Sequence, residues 1–478
     1  MKPTSIDDIR TALGGRLLGE PDAGTVQMTG VATNSKELKP GDLFFALVAK
    51  RDGHEFVGDA FAAGAAAAVV SRLTDLPPGR CAVLVGDTLR ALGNLALWYH
   101  RRMPAVIVGI TGSNGKTTTK ELLACALSAA GPVVKSPGNF NNCIGVPHTI
   151  FQIEPGDLFA VVEMGTSAPG EIHRLVEIAE PAVGVITNIA PTHLEGLGNI
   201  KGVALEKSAL IESLPAGGVA VLNADDFWSR NVADRTTARI VTYSIENAAD
   251  VQAQAIVHSA GGIRFSALGR EFFIPVLGEH NLYNALAAVA VAHVLELDLE
   301  LVAASLTAFK LPPMRMQRVM LGGVTIINDA YNANLESMRA ALREFARLIV
   351  PGRKVLVCGD MLELGEQSEE MHRALGRRIA TYRFDLLVAV GEQAQNLGRG
   401  AAAGGMPQDH IVYCATTDDA AQVVKGALRD GDTVLLKASR RMALESIIDH
   451  LQGDPGRAIP ICADAEHPYH TCRAVALH

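Results

Sequence analysis

Residues 106–120 constrain this chain more than any other stretch, because they read V-I-V-G-I-T-G-S-N-G-K-T-T-T-K. Val106, Ile107, Val108 and Ile110 make an apolar, β-branched run that suits a buried strand. A helical pattern follows at 121–130, so the segment is expected to fold as strand, tight loop and helix start. Those are the parts of a phosphate cradle. Gly112 and Gly115 let backbone N–H groups come close to phosphate oxygens, with the positive end of the helix dipole behind them. Lys116 adds a charge for the β- and γ-phosphates, and the Thr117 hydroxyl suits a magnesium ion. The first glycine of the usual G-x-x-x-x-G-K-[ST] loop falls on Ile110, which leaves the shorter G-x-x-G-K-T from Gly112 to Thr117. A plain glycine turn before a lysine-bearing helix is the alternative. The flanking strand and helix favour the cradle, so Gly112, Ser113, Asn114, Gly115, Lys116, Thr117 and Thr118 are expected to bind a nucleoside triphosphate.

Composition narrows the class. A net charge of −8 and only 5% aromatic residues argue against a nucleic-acid sheath or a base-stacking platform. Residues 1–15 hold Asp7, Asp8 and Arg10 and no apolar stretch of signal-peptide type, and no apolar run is long enough to span a bilayer. Seven scattered cysteines without a C-x-x-C pair fit reduced thiols in a cytoplasm. No membrane insertion is expected, and a monomer is the default.

The 478 residues divide into three blocks and a tail: 1–103, 104–312, 313–453 and 454–478. The first has short strands near 42–47, 66–70 and 82–85 between Ala-rich helices. The second alternates strand and helix in the manner of a parallel sheet covered on both faces, with strands near 158–162, 183–187 and 218–222. Antiparallel strands are expected within 240–275, then a long Ala-rich helix at 281–295 and a second helix to about 309. Pro312 and Pro313 mark the next boundary. The third block repeats the α/β pattern, with strands near 324–328, 354–358, 386–390 and 433–437. The fold class is therefore α/β: a central mononucleotide-binding parallel sheet, a Rossmann-like C-terminal unit and a small N-terminal unit. The tail holds Cys462, His467, His470 and Cys472, but their spacing fits no recognisable zinc finger, and a disordered tail is expected.

Glu163 ends the strand near 158–162, where an acid beside a phosphate loop can hold magnesium. The strand near 183–187 runs into N-I-A-P-T-H-L-E-G, which brings Asn188 and His193 to the same sheet edge. Lys207 follows on a helix expected to begin near Ile200, where composition alone would make it a solvated lysine.

These strings, T-G-S-N-G-K-T-T-T, E-M-G, N-I-A-P-T-H-L-E-G, L-E-K-S-A-L and G-E-H-N-L-Y-N-A-L-A-A, together resemble the Mur ligases of peptidoglycan synthesis, over residues 33–445. The family's members have three domains and use ATP to join an amino acid or dipeptide to a UDP-linked carboxylic acid. The resemblance implies that Thr117 and Glu163 hold one magnesium, and that His193 and a carbamylated Lys207 hold a second. Two dications ~4 Å apart repel by about 16 kcal/mol at an effective dielectric of ~20, so an anionic carbamate there makes physical sense. It needs a neutral amine, hence a partly buried Lys207 with a lowered pKa. His280, Asn281 and Asn284 fit the family's adenine-contacting turn, and Asn281 could equally cap the helix.

The third block contains D-A-Y-N-A-N-L-E-S-M, V-C-G-D-M-L-E-L-G-E and L-L-K-A-S-R. They resemble the branch of the family that adds D-alanyl-D-alanine to UDP-N-acetylmuramoyl-tripeptide, with Leu335 where proline is usual. Asp329 and Asn332 sit just past a strand end, where they can reach a ligand in the cleft, with a plain turn as the alternative, and by the resemblance Arg315, with Arg318 as the alternative, reaches a phosphate. In the first block, T-N-S-K and D-G-H-E-F resemble the UDP-binding unit, which makes Ser35 and the stretch from Asp52 to His54 substrate candidates. Asn34 and Lys36 depart from the family's Asp and Arg. Asn139, Asn141 and Asn142 match the loop that faces the UDP-sugar peptide. The implied chemistry is acyl-phosphate formation on the tripeptide carboxylate, then attack by the dipeptide amine. The alternatives are another Mur-type or folylpolyglutamate-type ligase, and, from a different class, an ATP-dependent switch.

Overall fold

The strand Val106–Thr111 is buried from Ile107 onward and sits inside a seven-stranded sheet that is parallel throughout. Its side chains alternate as a doubly covered strand requires: Val108 and Ile110 enter one core, and Ile107 the other. The order across the sheet is Val251–Gln252, Arg239–Ser244, Val219–Asn223, Val183–Ile186, Val106–Thr111, Phe159–Glu163 and Val133–Lys135. The computed structural model describes residues 1–19, 26–259 and 261–453. The tail and its Cys462, His467, His470 and Cys472 lie outside the described residues.

Helix Lys116–Leu127 starts five residues before the expected 121, because Gly115, at φ +82°, completes the chain reversal and leaves Lys116 in the first turn. Three threonines disfavour an isolated helix, but Thr117, Thr118 and Thr119 are buried, and packing overrides propensity. The Ala-rich helix, Glu279–Val294, is buried continuously from Ala285 to Ala292 and lies against Lys116–Leu127. The second helix ends at Leu306, earlier than expected. The antiparallel expectation for 240–275 holds only in part. Arg239–Ser244 and Val251–Gln252 extend the parallel sheet. Gln254–Ser259, Gly262–Ala267 and Arg270–Ile274 form a separate antiparallel sheet.

N-terminal to this lies a five-stranded sheet ordered Arg16–Leu18, Ala82–Leu84, Ala67–Val70, Asp42–Phe45 and Gly30–Ala32, whose residues share one core with the second face of the central sheet. His54 of the D-G-H string is buried in a structural role. Its Nδ1 is 2.6 Å from Asp52 Oδ1, and its Nε2 accepts from the Ser71 N–H. C-terminally, six strands run Gln317–Leu321, Val324–Asn328, Thr433–Lys437, Lys354–Gly359, Leu386–Val390 and Ile411–Cys414, with only the first pair antiparallel. Sequence reading missed the two edge strands of this sheet. Among the described residues, no helix is long and apolar enough to cross a membrane.

Candidate active site

Three neighbouring strands deliver the site. Glu163 is the last residue of its strand and pairs with Ile110, while Ile186 pairs with Thr111. The phosphate-type loop therefore leaves the sheet edge between Glu163 on one side and Thr187–Asn188 on the other, the switch-point position where ligands bind in parallel sheets. Asn188 clamps the loop from both directions: its Oδ1 accepts the Asn114 N–H at 3.0 Å, and its Nδ2 donates to the Asn114 carbonyl at 3.0 Å. The Ser113 hydroxyl donates to the Ala190 carbonyl and accepts the Ala190 N–H, both at 2.8 Å.

Lys116 curls its ammonium back onto the loop, donating to the Gly112 carbonyl at 2.7 Å. Burial pulls its pKa below the usual lysine value, Glu163 opposes that shift, and Arg315 adds to it. Glu163 is 1% exposed. Its Oε1 accepts from Asn141 Nδ2 at 3.0 Å, whereas Oε2 is buried with no hydrogen-bond partner, the Lys120 ammonium standing off at 3.9 Å. With its nearest cation beyond hydrogen-bond reach, this oxygen keeps a free acceptor site for a further cation or donor.

A cleft of about 740 Å³ opens above these groups. It collects Ser113 to Thr118, Glu163, His193 and the three asparagines Asn139, Asn141 and Asn142 from the second block. From the third block come Arg315, Asp329 and Asn332, and His280, Asn281 and Asn284 line it as well. Two candidates lie behind the lining. Gly112 faces Thr187, whose Oγ1 would be 1.9 Å from an added Cβ. Lys207 is 1% exposed within helix Ile200–Glu212. Its amine has no hydrogen bond or ion pair among the described residues, and burial, then the Lys116 charge, drives its pKa well down. Ser35 sits in a turn of the first block and is not brought to the cleft.

The asparagines of H-N-L-Y-N need correction. Asn281 is not the helix N-cap, because that position is Gly278. Asn281 and Asn284 are buried, and their amides are bonded internally: Asn281 to the Leu277 carbonyl, Asn284 to Asn281, and Thr119 to Asn284 Oδ1. Asn284 thus props the glycine turn from below. An added Cβ on Gly115 would stand 2.4 Å from its Oδ1, at a φ of +82°. Gly115→Ala is therefore expected to raise KM for the nucleotide roughly tenfold or more, measured by steady-state kinetics.

Arg315 is fixed by Nη2 donation to Thr117 Oγ1 at 3.0 Å and by stacking 4.4 Å above the Tyr331 ring. Its Nε is buried without a partner. Met314 and Met316 flank it at φ +58° and +49°, so the backbone is bent to aim this side chain. Arg318 is exposed on the edge strand, so Arg315 is the arginine that reaches the loop. Asp329 is held by Lys437 at 2.6 Å and by the Met316 N–H, while Asn332 accepts the Ala333 N–H. Leu335 opens helix Leu335–Arg347 at its first position, where a proline would also be accommodated.

Several residues escaped sequence reading. Asn334 caps that helix and also donates to Asn114 Oδ1 at 2.7 Å, joining the third block to the loop. Lys437 ends an apolar strand, the same signal that pointed to Glu163. Lys120 is fully buried and donates to the Ser136 and Gly138 carbonyls, both at 2.8 Å, at the root of the asparagine loop. Glu206 caps helix Glu171–Ala179 by accepting the Gly170 and Ile172 N–H groups at 2.6 and 2.7 Å. Nothing local in the sequence marks it.

Comparison with known proteins agrees with this geometry. The Mur ligase middle domain matches residues 110–292, and the Mur ligase glutamate ligase domain matches 314–440. The chain is 39% identical to the UDP-N-acetylmuramoyl-tripeptide–D-alanyl-D-alanine ligase of Bacillus subtilis, over 92% of this chain and 96% of that protein. It is similar to the crystal structure of MurF from Acinetobacter baumannii, with TM-score 0.87 and 29% identity over 95% of this chain and 100% of that one. The MurF ligase of Thermotoga maritima in complex with ADP aligns with TM-score 0.78 and 30% identity, over 88% and 96%. The chain belongs to the Mur ligase family, whose members are ATP-dependent ligases.

Proposed function

We propose that this chain joins the amine of D-alanyl-D-alanine to the terminal carboxylate of UDP-N-acetylmuramoyl-tripeptide, with ATP converted to ADP and phosphate in a cytoplasmic step. The observation that carries the reading is the buried Glu163, one oxygen without a hydrogen bond, lining one cleft with Lys116, Thr117 and Arg315, in a chain 39% identical to a ligase named for that reaction.

In this reading the loop from Gly112 to Thr118 holds the triphosphate, and Lys116 and Arg315 stabilise charge on the γ-phosphoryl group as it moves. The tripeptide carboxylate attacks phosphorus, and the bond to ADP breaks. The amine then attacks the acyl phosphate, and phosphate departs. Asn139, Asn141 and Asn142 face the peptide, Ser35 belongs to the UDP end, and His280 lies nearest the base. Asp329 holds the third-block residues Met316 and Lys437 against the nucleotide.

The donor set fits magnesium. Among the described residues no three His, Cys, Asp or Glu side chains cluster as a metal cage. Magnesium needs none, since it binds one or two carboxylates together with substrate phosphates. Glu163 and Thr117 would hold one ion, and His193 with a carbamylated Lys207 a second. Bound there, the ions would neutralise phosphate charge. The buried, unpaired Lys207 amine supports the carbamate. A division into UDP-binding residues 1–103, ATP-binding residues 104–312 and ligase residues 313–453 is supported by the separate sheet in each.

Phosphate release is the test. It should require both UDP-tripeptide and D-alanyl-D-alanine. Release with a single amino acid in place of the dipeptide would make the chain a different Mur-type ligase, and release with neither substrate would sink the proposal.

A further inference from the structure

Glu363, from the D-M-L-E-L-G string, has no part in the phosphoryl-transfer scheme, yet it crosses the cleft to touch His193. Its Oε2 lies 2.6 Å from His193 Nδ1. Both residues are non-glycine and left-handed, His193 at φ +52° and Glu363 at φ +62°. Two strained backbones that meet side chain to side chain, 170 positions apart, are held by their surroundings. The surroundings of Glu363 are indeed built. The Leu362 N–H donates to Ser439 Oγ at 2.9 Å, the Met361 N–H to His372 Nε2 at 3.0 Å, and the Ser439 N–H to the Asp360 carbonyl at 3.0 Å. Arg441 approaches the other Glu363 oxygen at 3.8 Å.

The pair is partly exposed, with side chains 29% and 43% accessible, so it contributes little to stability. Its consequence is chemical. A carboxylate can only accept, so the shared proton belongs to Nδ1, and in the neutral ring Nε2 is left with a free lone pair. His193 and Lys116 line the same small cavity, of about 180 Å³, with Glu363 at its wall. The geometry points to Glu363 as a positioning residue: it sets the tautomer and orientation of His193, so that this ring is ready only when the third block is docked on the second. A histidine that faces a cation or accepts a proton through Nε2 needs this kind of partner on Nδ1. The inference rests on the placement of His193 beside the phosphates.

The test compares Glu363→Ala with Glu363→Gln, which keeps an acceptor oxygen. Histidine-labelled protein is read by long-range proton–nitrogen correlation, and the His193 signals are identified by their loss in His193→Asn. Parent and Glu363→Gln should show the Nδ1–H tautomer, and Glu363→Ala a mixture or the Nε2–H form. In Glu363→Ala kcat should fall by roughly thirtyfold, in Glu363→Gln by no more than about fivefold, with KM for ATP nearly unchanged in both. A ring unaltered in Glu363→Ala overturns the inference itself. An altered ring with unchanged kcat overturns it too, and puts the fault in the placement of His193 at the reacting centre.

Discussion

Lys116→Met is expected to lower kcat by about 10³ while the melting temperature moves by no more than ~2 °C. Among the described residues the ammonium forms no short ion pair. It rests on the Gly112 and Ser113 carbonyls, at 2.7 and 3.5 Å. Methionine keeps the length and packing of the side chain, and the loop contacts it forfeits are offset by removing the desolvation cost of a buried ammonium, so the fold should tolerate it. Catalysis should not, because a charge aimed at the transferring phosphoryl group is stronger in the transition state than in the ground state. KM for ATP should rise far less than kcat falls. Lys116→Arg should fail as well, since a planar guanidinium cannot fold back into the turn as a compact ammonium does. Steady-state kinetics with a thermal melt reads both halves.

The second large effect is at Lys207. Lys207→Met is expected to abolish activity by roughly 10² or more and to leave stability equal or higher. The amine is buried without a hydrogen bond or ion pair among the described residues, so protonating it costs desolvation, to which the Lys116 charge adds and which the Glu206 charge offsets only in part. Its folded pKa is lowered, and burial is the largest cause. Between that lowered value and the unfolded value near 10.5, the unfolded chain binds the extra proton, so stability of the parent should rise with pH across the interval. Lys207→Met should flatten that rise, which denaturant midpoints taken across alkaline pH would reveal. Labelled bicarbonate gives an independent check: a carbamate carbon signal is expected in the parent and absent in Lys207→Met.

What sequence made legible was local. Val106–Thr111, its glycine turn and Glu163 could be read because each obeys a short-range rule: a β-branched run for a strand buried on both faces, a glycine where φ is positive, an acid at a strand's carboxyl end. Helix Ile200–Glu212 began where expected because Asn199 caps it, accepting the Lys201 and Gly202 N–H groups. The start of the loop helix was misjudged because the threonine run is a poor helix former in isolation, and only burial shows why it is tolerated.

What stayed hidden depends on partners far along the chain. Asn284 lines the cleft, but its bond from Thr119, 165 residues away, could not be foreseen from the sequence. Arg315 could not be separated from Arg318 until the left-handed Met314 and Met316 turned one toward Thr117 and left the other on an exposed edge. Glu206 looks like any helix-face glutamate, although it accepts backbone N–H groups of a different helix. The third block's hold on the loop, through Asn334 to Asn114 and Glu363 to His193, is likewise a product of the fold.

The central claim is that the peptide carboxylate, and not water, takes the γ-phosphoryl group at the loop built on Lys116 and Thr117. Transfer of 18O tests it most directly. UDP-N-acetylmuramoyl-tripeptide labelled with 18O in its terminal carboxylate is turned over with ATP and D-alanyl-D-alanine, and the released phosphate is weighed by mass spectrometry. The expected result is phosphate carrying a single 18O from the peptide. Phosphate free of the label, formed alongside ligated product, would contradict an acyl-phosphate route and, with it, the roles of Lys116 and Arg315 in phosphoryl transfer.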